Sequence, residues 1–305
     1  MTIIDLKDYE LSGGGKLGES FIKKDNPDIL LKLYSTQLEK MGLDEYERAC
    51  KVYDMGLPCP EPGEVVRTTD GRVGIQFKRI HGKLSYARAL SIHPELLDQY
   101  AVEFAELCKK LHSTTPPPGL FPKAKDQYIE YIKENPYLTD DERNGLIRFI
   151  GTLPDADTAL HGDLHIGNVI FDQAGRKYLI DLSEFCTGSP LFDLGIIYLQ
   201  ACMIPDEMEM ELYHITKEIS MPFWHSFAKA YFGPDADIET IQNELKKFAT
   251  LRILCVEKMM GRPVPPIRPI VHAMIYDNDT KGTVPIVSFF KKTYICVKDN
   301  TYYCL

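Results

Sequence analysis

The sequence predicts an α+β fold in two lobes, an antiparallel β-sheet followed by a mainly helical part. Up to about Ile80, short runs of alternating apolar residues are separated by turn-forming residues, which is typical of hairpins. Beyond His81-Gly82, apolar residues recur at intervals of three and four, which is typical of amphipathic helices. Such a change along one chain marks two structural units. We therefore expect an N-terminal lobe over residues 1–80 and a C-terminal lobe over residues 81–305.

Composition restricts the classes of protein that fit. A chain of 305 residues with 44% hydrophobic residues can bury a sizeable core. No apolar run approaches the roughly 20 residues that cross a bilayer, and the first residues, MTIIDLKDYE, do not resemble a signal peptide. We expect a cytoplasmic protein with no membrane partner. The eight singly scattered cysteines favour reduced thiols, and the net charge of -9 disfavours nucleic acid as a partner.

The N-terminal elements follow from turn chemistry and periodicity. Hairpin connections are expected at the glycine cluster after Ser12, at Asp25–Asp28 and at Asp70-Gly71. Between the last two, residues 43–56 predict a helix, LDEYERACKVYDMG. Its expected apolar face consists of Tyr46, Ala49, Cys50 and Tyr53.

The C-terminal elements are mostly helices. Apolar stripes or capping signals predict helices over residues 94–112, 139–150, 193–203, 208–220 and 239–260. The second of these begins with TDDE, which has the spacing of a capping box. From Gly282 onward, β-branched and aromatic residues predict a pair of strands.

A glycine-rich segment, SGGGKLGES, contains Gly13, Gly14, Gly15 and Gly18. The pattern alone is weak, because glycine clusters often only form a turn. A dinucleotide-binding site needs a helix after such a segment, whereas here a strand, FIKK, follows. A glycine-rich flap between antiparallel strands fits better, since its backbone amides can approach phosphate oxygens closely.

Lys32 interrupts an apolar run, ILLKLYS. A lysine in such a run either lies on an edge strand, with its ammonium group in water, or has an acidic partner. The second interpretation has Lys32 hold nucleotide phosphates while it pairs with a carboxylate of the following helix. Glu47 is the leading candidate for that partner and Glu45 is the reserve.

The segment HGDLHIGN raises three interpretations. His161 and His165 could bind zinc, although the intervening glycines disfavour the helix that this spacing requires. The segment could instead form a capped turn before a buried strand. In phosphoryl transfer, one aspartate positions the attacking hydroxyl, and an asparagine and a second aspartate hold magnesium. Asp163 and Asn168 share one loop, and a short hairpin would return Asp181 beside them.

These motifs resemble a known family. The runs are His161-Gly-Asp163-Leu-His165-x-x-Asn168, Ile180-Asp181 and Gly188-Ser-Pro190-Leu-Phe-Asp193-Leu-Gly. In this order they are similar to the aminoglycoside phosphotransferase and choline kinase group of the protein-kinase-like superfamily. The first also parallels the catalytic loop of protein kinases. The resemblance implies a bilobal protein-kinase-like fold.

The resemblance also implies roles for the residues. Asp163 would be the catalytic base, and Asn168 and Asp181 would bind Mg²⁺. Lys32 would order the phosphates of ATP or GTP, with Glu47 holding it.

The remaining roles are supporting ones. His161 and Asp193 would brace the catalytic loop, and His165 would lie near the transferred phosphate. The glycines Gly13, Gly14, Gly15 and Gly18 would cover the nucleotide. The segment from Phe77 to Ile80, including Lys78, would form the hinge whose backbone contacts the base.

The expected function is transfer of the terminal phosphoryl group of ATP or GTP to a hydroxyl of a small molecule, such as an aminoglycoside, choline or a sugar. An acidic cluster, Asp206, Glu207, Glu209 and Glu211, could meet an amine-bearing acceptor or could simply be a solvated helix start. A catalytically silent nucleotide-binding regulator of the same fold is the alternative. A protein kinase fits less well, since only eleven residues separate Asp181 from Asp193.

Overall fold

The structure, a computed structural model, describes residues 1–14 and 18–276. Its first part is a six-stranded sheet in the spatial order β1-β5-β6-β4-β3-β2. The strands are β1 (Thr2–Ile4), β2 (Tyr9–Gly14), β3 (Gly18–Lys23), β4 (Ile29–Tyr34), β5 (Pro62–Thr68) and β6 (Val73–Lys78). Neighbouring strands are antiparallel except for β1 and β5, which run parallel at one edge. The hairpins predicted at Asp25–Asp28 and Asp70-Gly71 are confirmed.

Strand β4 shows why a lysine stands in an apolar run. Successive side chains of a strand point to opposite faces. Leu31 and Leu33 therefore pack into a small cluster on one face of the sheet, and Lys32 shares the other face with Tyr34, which belongs to the main core. Because β4 lies between β3 and β6, the edge-strand interpretation of Lys32 is wrong.

Helix α1 (Glu39–Asp54) follows β4 and packs against the face that carries Lys32. Its buried residues are Gly42, Glu45, Ala49 and Val52, at intervals of three and four. The predicted apolar face was therefore rotated from the true one. Apolar periodicity predicts a rotated face because the buried Glu45 is charged and does not contribute to an apolar stripe.

The second part consists mainly of helices, with two small sheets. The helices are α2 (Tyr86–Ile92), α3 (Leu97–His112), α4 (Ala124–Glu134), α5 (Asp140–Thr152), α6 (Leu191–Tyr198), α7 (Asp206–Tyr213), α8 (Lys217–Phe232), α9 (Ile238–Met260) and α10 (Arg268–Tyr276). The strands are β7 (Leu84–Ser85), β8 (Thr158–Leu160), β9 (Val169–Phe171), β10 (Lys177–Leu179) and β11 (Cys186–Gly188). In residues 1–14 and 18–276, no helix is both long and apolar enough to cross a membrane.

One predicted helix is broken in two. The segment 208–220 was expected to be continuous, but α7 ends at Tyr213 and α8 begins at Lys217. His214 between them has a left-handed backbone, with φ of 59°, which stops a right-handed helix. Upstream, α6 continues into a wider π-type turn over Leu199–Met203.

The architecture confirms the α+β, bilobal protein-kinase-like fold, with a sheet first and a helical part after it. The lobe boundary at residue 80 stays a prediction. The strand pair expected beyond Gly282 lies outside the described residues. The predicted capping box is confirmed: the Thr139 hydroxyl accepts from the Glu142 amide, and the Glu142 carboxylate accepts from the Thr139 amide.

The capping box gives a test of local stability. We expect Thr139→Ala to lower the free energy of unfolding by about 1 kcal/mol, because the Glu142 amide at the start of α5 loses its side-chain acceptor. Urea denaturation followed by circular dichroism measures this. Glu142→Gln keeps the reciprocal hydrogen bonds and is the matched control. Equal stabilities of the two variants would contradict the assignment.

Candidate active site

The Lys32 ammonium group lies between two carboxylates. It donates to both oxygens of Glu45 at 2.8 Å and to Oδ1 of Asp181. Burial alone would lower the pKa of Lys32, but the two carboxylates raise it well above the usual value for lysine. The same cation, together with its hydrogen bond, holds the pKa of Asp181 below its usual range, against the opposing effect of burial. Lys32 and Asp181 are therefore both charged near neutral pH.

Glu47 is not the partner of Lys32, so that prediction is wrong and the reserve, Glu45, takes the position. Two residues further along a helix correspond to a rotation of about 200°, so Glu47 points away from the sheet. Its side chain is 66% exposed and pairs with Lys51 at 2.5 Å. Glu45 is only 4% exposed, and it also accepts a hydrogen bond from the Tyr34 hydroxyl.

The loop between β8 and β9 carries HGDLHIGN and is held by one buried carboxylate. Asp193, at the start of α6, accepts from the amides of His161 at 2.8 Å and Gly162 at 2.9 Å. Gly162 has φ of 83°, and an added Cβ would collide with the carbonyl oxygen of Glu184. Only glycine adopts this turn without strain. The loop conformation therefore depends on both residues.

His161 stabilises the loop with both ring nitrogens. Its Nδ1 accepts from the Asp163 amide at 3.3 Å, so Nε2 carries the proton and donates to the Ile180 carbonyl at 2.8 Å. Neither nitrogen remains for a metal, which argues against zinc. Nor do the residues that the structure describes contain a cluster of three or more His, Cys, Asp or Glu able to hold a metal ion.

Asp163, Asn168 and Asp181 converge as the hairpin spacing predicted. Asn168 Nδ2 donates to the Asp163 carbonyl at 2.9 Å and to its carboxylate Oδ2 at 3.2 Å. The hairpin of β9 and β10 returns the chain, and the Ile180 amide donates to the Asn168 carbonyl at 3.0 Å. Asp181 comes next with a left-handed backbone, φ 60°. Such a conformation is sparsely populated outside glycine and clusters at functional sites.

The arrangement fits a magnesium ion. Lys32 donates a hydrogen bond to Oδ1 of Asp181, and the side-chain Nδ2 of Asn168 donates to Asp163. This leaves Oδ2 of Asp181 and Oδ1 of Asn168 as two oxygen donors. Magnesium commonly takes one or two protein oxygens and completes its octahedron with phosphates and water.

Sequence reasoning missed Arg252 in α9. Its Nη2 donates to Oδ1 of Asp163 at 2.9 Å, and its guanidinium also pairs with Glu184. Burial would raise the pKa of the Asp163 carboxyl, but Arg252 and the nearby histidines hold it well below the usual range. A charged residue in a helix 89 residues away gives no local signal in the sequence.

His165 and Tyr213 lie on the other side of Asp163. His165 Nδ1 accepts from the Gly167 amide at 3.0 Å, and its Nε2 lies 3.7 Å from Asp163 Oδ2. The Tyr213 ring contacts the His165 ring edge-on, with 5.1 Å between centroids. Burial, and after it the negative charge of Asp163, raise the pKa of Tyr213 above its usual value. Nothing in the α7 sequence signalled this tyrosine.

The glycine segment lies between two antiparallel strands, β2 and β3, as expected. Gly13 and Gly14 end β2 in open space, whereas a Cβ on Gly18 would collide with the Leu33 carbonyl. Gly15 lies outside the described residues. The strand-helix arrangement of a dinucleotide site is absent from the described parts of this segment, because β3 follows.

The proposed hinge begins at the end of β6. The Lys78 side chain is 68% exposed and pairs with Glu61 at 3.2 Å, and its amide donates to the Glu61 carbonyl at 2.9 Å. Ile80, two residues on, is half-buried. Lys78 thus directs its side chain to solvent, and its backbone amide is already used by Glu61.

Comparisons with known proteins give a matching family profile and several similar solved structures. The sequence profile described as "APH: Phosphotransferase enzyme family" matches residues 12–227. Similar solved structures include the GDP complex of wild-type aminoglycoside 2'-phosphotransferase-IIIa, with 13% identity, a TM-score of 0.54 and coverage of 88% of this chain and 93% of that one. Another is choline kinase LicA from Streptococcus pneumoniae, with 17% identity, a TM-score of 0.51 and coverage of 90% and 92%. At sequence identities of 13% and 17%, these similarities show a shared fold. A comparison with curated protein sequences gave no match.

The partner of Lys32 can be tested by two neighbouring substitutions. We expect Glu45→Gln to lower the free energy of unfolding by about 1–3 kcal/mol, since a buried ammonium loses a charged acceptor. Glu47→Gln, in the same helix, should change it by less than about 0.5 kcal/mol, as is usual at exposed positions. Urea denaturation distinguishes them. A larger loss of stability in Glu47→Gln than in Glu45→Gln would indicate that Glu47, and not Glu45, is the partner of Lys32.

Proposed function

We propose that this chain, which belongs to the APH phosphotransferase enzyme family, transfers the terminal phosphoryl group of ATP or GTP to a hydroxyl group of a small molecule. The observation that carries the proposal is the convergence of one cation, the Asp163 carboxylate and two further oxygen donors. Lys32 comes from β4, Asp163 and Asn168 come from one loop, and Asp181 follows the β9–β10 hairpin. Phosphoryl transfer needs these groups and little covalent chemistry from the protein.

On the donor side, Lys32 neutralises and orders phosphate oxygens, and Glu45 keeps it in place. Asn168 and Asp181 hold Mg²⁺, which, when bound, offsets the negative charge of the phosphates. The flap that includes Gly13, Gly14, Gly15 and Gly18 covers the nucleotide. The segment from Phe77 to Ile80 contacts its base through the backbone.

On the acceptor side, Asp163 accepts the proton of the attacking hydroxyl. The low pKa of its carboxyl makes it a weak base, so its main contribution is to orient the hydroxyl until a late proton transfer. His161 and Asp193 act only by holding the loop. His165 and Tyr213 border the space beside Asp163.

The acceptor is a small molecule because the segment between Asp181 and Asp193 is too short for a protein-docking platform. The acidic cluster of α7 contributes less than its sequence suggested. Glu209 is fully buried, pairs with Lys217 at 2.8 Å and accepts from Gln200. Glu209 is therefore not available to anchor an amine-bearing acceptor such as an aminoglycoside or choline, and sugars remain acceptors in the same class.

The test is nucleotide consumption with Mg²⁺ and either ATP or GTP, across a panel of aminoglycosides, choline, homoserine and sugars. We expect turnover that depends on one acceptor class, with phosphate found on its hydroxyl by mass spectrometry. Asp163→Asn should reduce kcat by at least about 100-fold, since it removes the proton acceptor while keeping the shape. Asp140→Asn, at a 98% exposed side chain in the first turn of α5, is the control and should retain turnover.

Three results would contradict the proposal. Turnover that survives in Asp163→Asn would show that another group performs the chemistry. Tight Mg-nucleotide binding with no phosphoryl transfer to any acceptor would favour the silent regulatory protein. Phosphorylation of generic polypeptides, lost in Asp163→Asn, would instead indicate a protein kinase.

A further inference from the structure

Arg252 is a buried cation that lies outside the residues matched by the family profile, 12–227. It stands in the middle of α9 and is only 8% exposed. Burial alone would lower its pKa, but Glu184 and Asp163 raise the pKa of its guanidinium well above the usual value. A charged group is seldom buried unless it is paired, and here both partners are carboxylates at the candidate site.

The guanidinium fixes one oxygen of Asp163. Nη2 of Arg252 donates to Oδ1 at 2.9 Å, while the amide of Asn168 donates to Oδ2 at 3.2 Å. The two donors reach different oxygens, so rotation of the carboxylate would break both contacts. Oδ1 is committed to Arg252. Oδ2 accepts one hydrogen bond from Asn168 and lies 3.7 Å from His165 Nε2, so an acceptor hydroxyl can approach the second lone pair of Oδ2.

The guanidinium is itself held by Glu184. Nη1 and Nη2 donate to the two Glu184 oxygens, the second at 3.3 Å. A guanidinium is planar and its N–H donors have fixed directions. The two hydrogen bonds to Glu184 therefore also fix the direction of the Nη2 donor that reaches Asp163. Glu184 follows Asp181 by three residues and lies in the turn Leu182–Glu184.

We propose that Arg252 is a positioning residue, anchored by Glu184, that holds the Asp163 carboxylate with Oδ2 toward the acceptor. The inference rests on the proposed function for its kinetic consequence, though not for its geometry. Two carboxylates already neutralise Arg252, so it is not an anchor for an anionic acceptor. A misplacement of about 1 Å at a reacting group costs on the order of 100-fold in rate, which gives the scale of the effect.

The kinetic test compares Arg252→Lys, Arg252→Met and Glu184→Gln. We expect kcat to fall about 10-fold in Arg252→Lys and about 100-fold in Arg252→Met, because lysine keeps the charge but loses the fork. Glu184→Gln should give a smaller loss. The KM for the nucleotide should stay within about twofold, since Arg252 contacts none of the groups on the donor side.

Arg268→Lys is the matched control. Arg268 also pairs with a buried glutamate, Glu257, at 2.8 Å and 3.0 Å, but it has no contact with the site. Its substitution should change the melting temperature about as much as Arg252→Lys and leave kcat unaltered. The inference would be overturned if Arg252→Met had the same kcat as the wild type. It would also be overturned if Arg268→Lys lost as much kcat as the Arg252 variants.

A structural measurement separates this inference from the proposed function. In a crystal structure of Arg252→Met, we expect the Asp163 carboxylate to rotate away from its wild-type orientation. If it keeps that orientation, the inference is wrong, whatever the enzyme transfers. If it rotates while the wild type transfers phosphate to no acceptor, Arg252 does position Asp163 and only the proposed function fails.

Discussion

The site depends on the buried carboxylate of Asp193. It is fully shielded from water and accepts from the backbone amides of His161 and Gly162, with His112 of α3 at 3.2 Å. A buried charge is tolerated only when such donors replace its hydration. The carboxylate therefore fixes the direction in which the loop leaves β8, and every later side chain of the loop takes its position from that start.

Two kinds of restraint act on the reactive groups. Residues 161–193 restrain one another locally, through the turn at Gly162, the bonds of the His161 ring and the hairpin that returns Asp181. Lys32, Glu45 and Arg252 come from distant elements and supply the charges. The local restraints place the loop through backbone amides and the His161 ring, and the distant residues contact its carboxylates, Lys32 at Asp181 and Arg252 at Asp163.

Sequence could predict the fold and most of the loop because their signals are local. Turn residues, helical periodicity and the spacing of Asp163, Asn168 and Asp181 each act over a few residues. The choice between Glu45 and Glu47 could not be made, since apolar periodicity gives no warning of a buried charge that is paired. Arg252 had no signal at all, because its partners lie in another part of the chain. The break at His214 depends on a backbone conformation that residue type does not dictate.

The contact between Lys32 and Asp181 joins residues that are 149 positions apart. Closing so long a loop has an entropic cost that is recovered only when the intervening elements have packed, so such contacts form late in folding. A ligand of this cleft therefore binds only molecules that have finished folding, and by mass action it protects them from unfolding. The cellular concentration of that ligand would thus help to set how long each copy of the protein survives proteolysis.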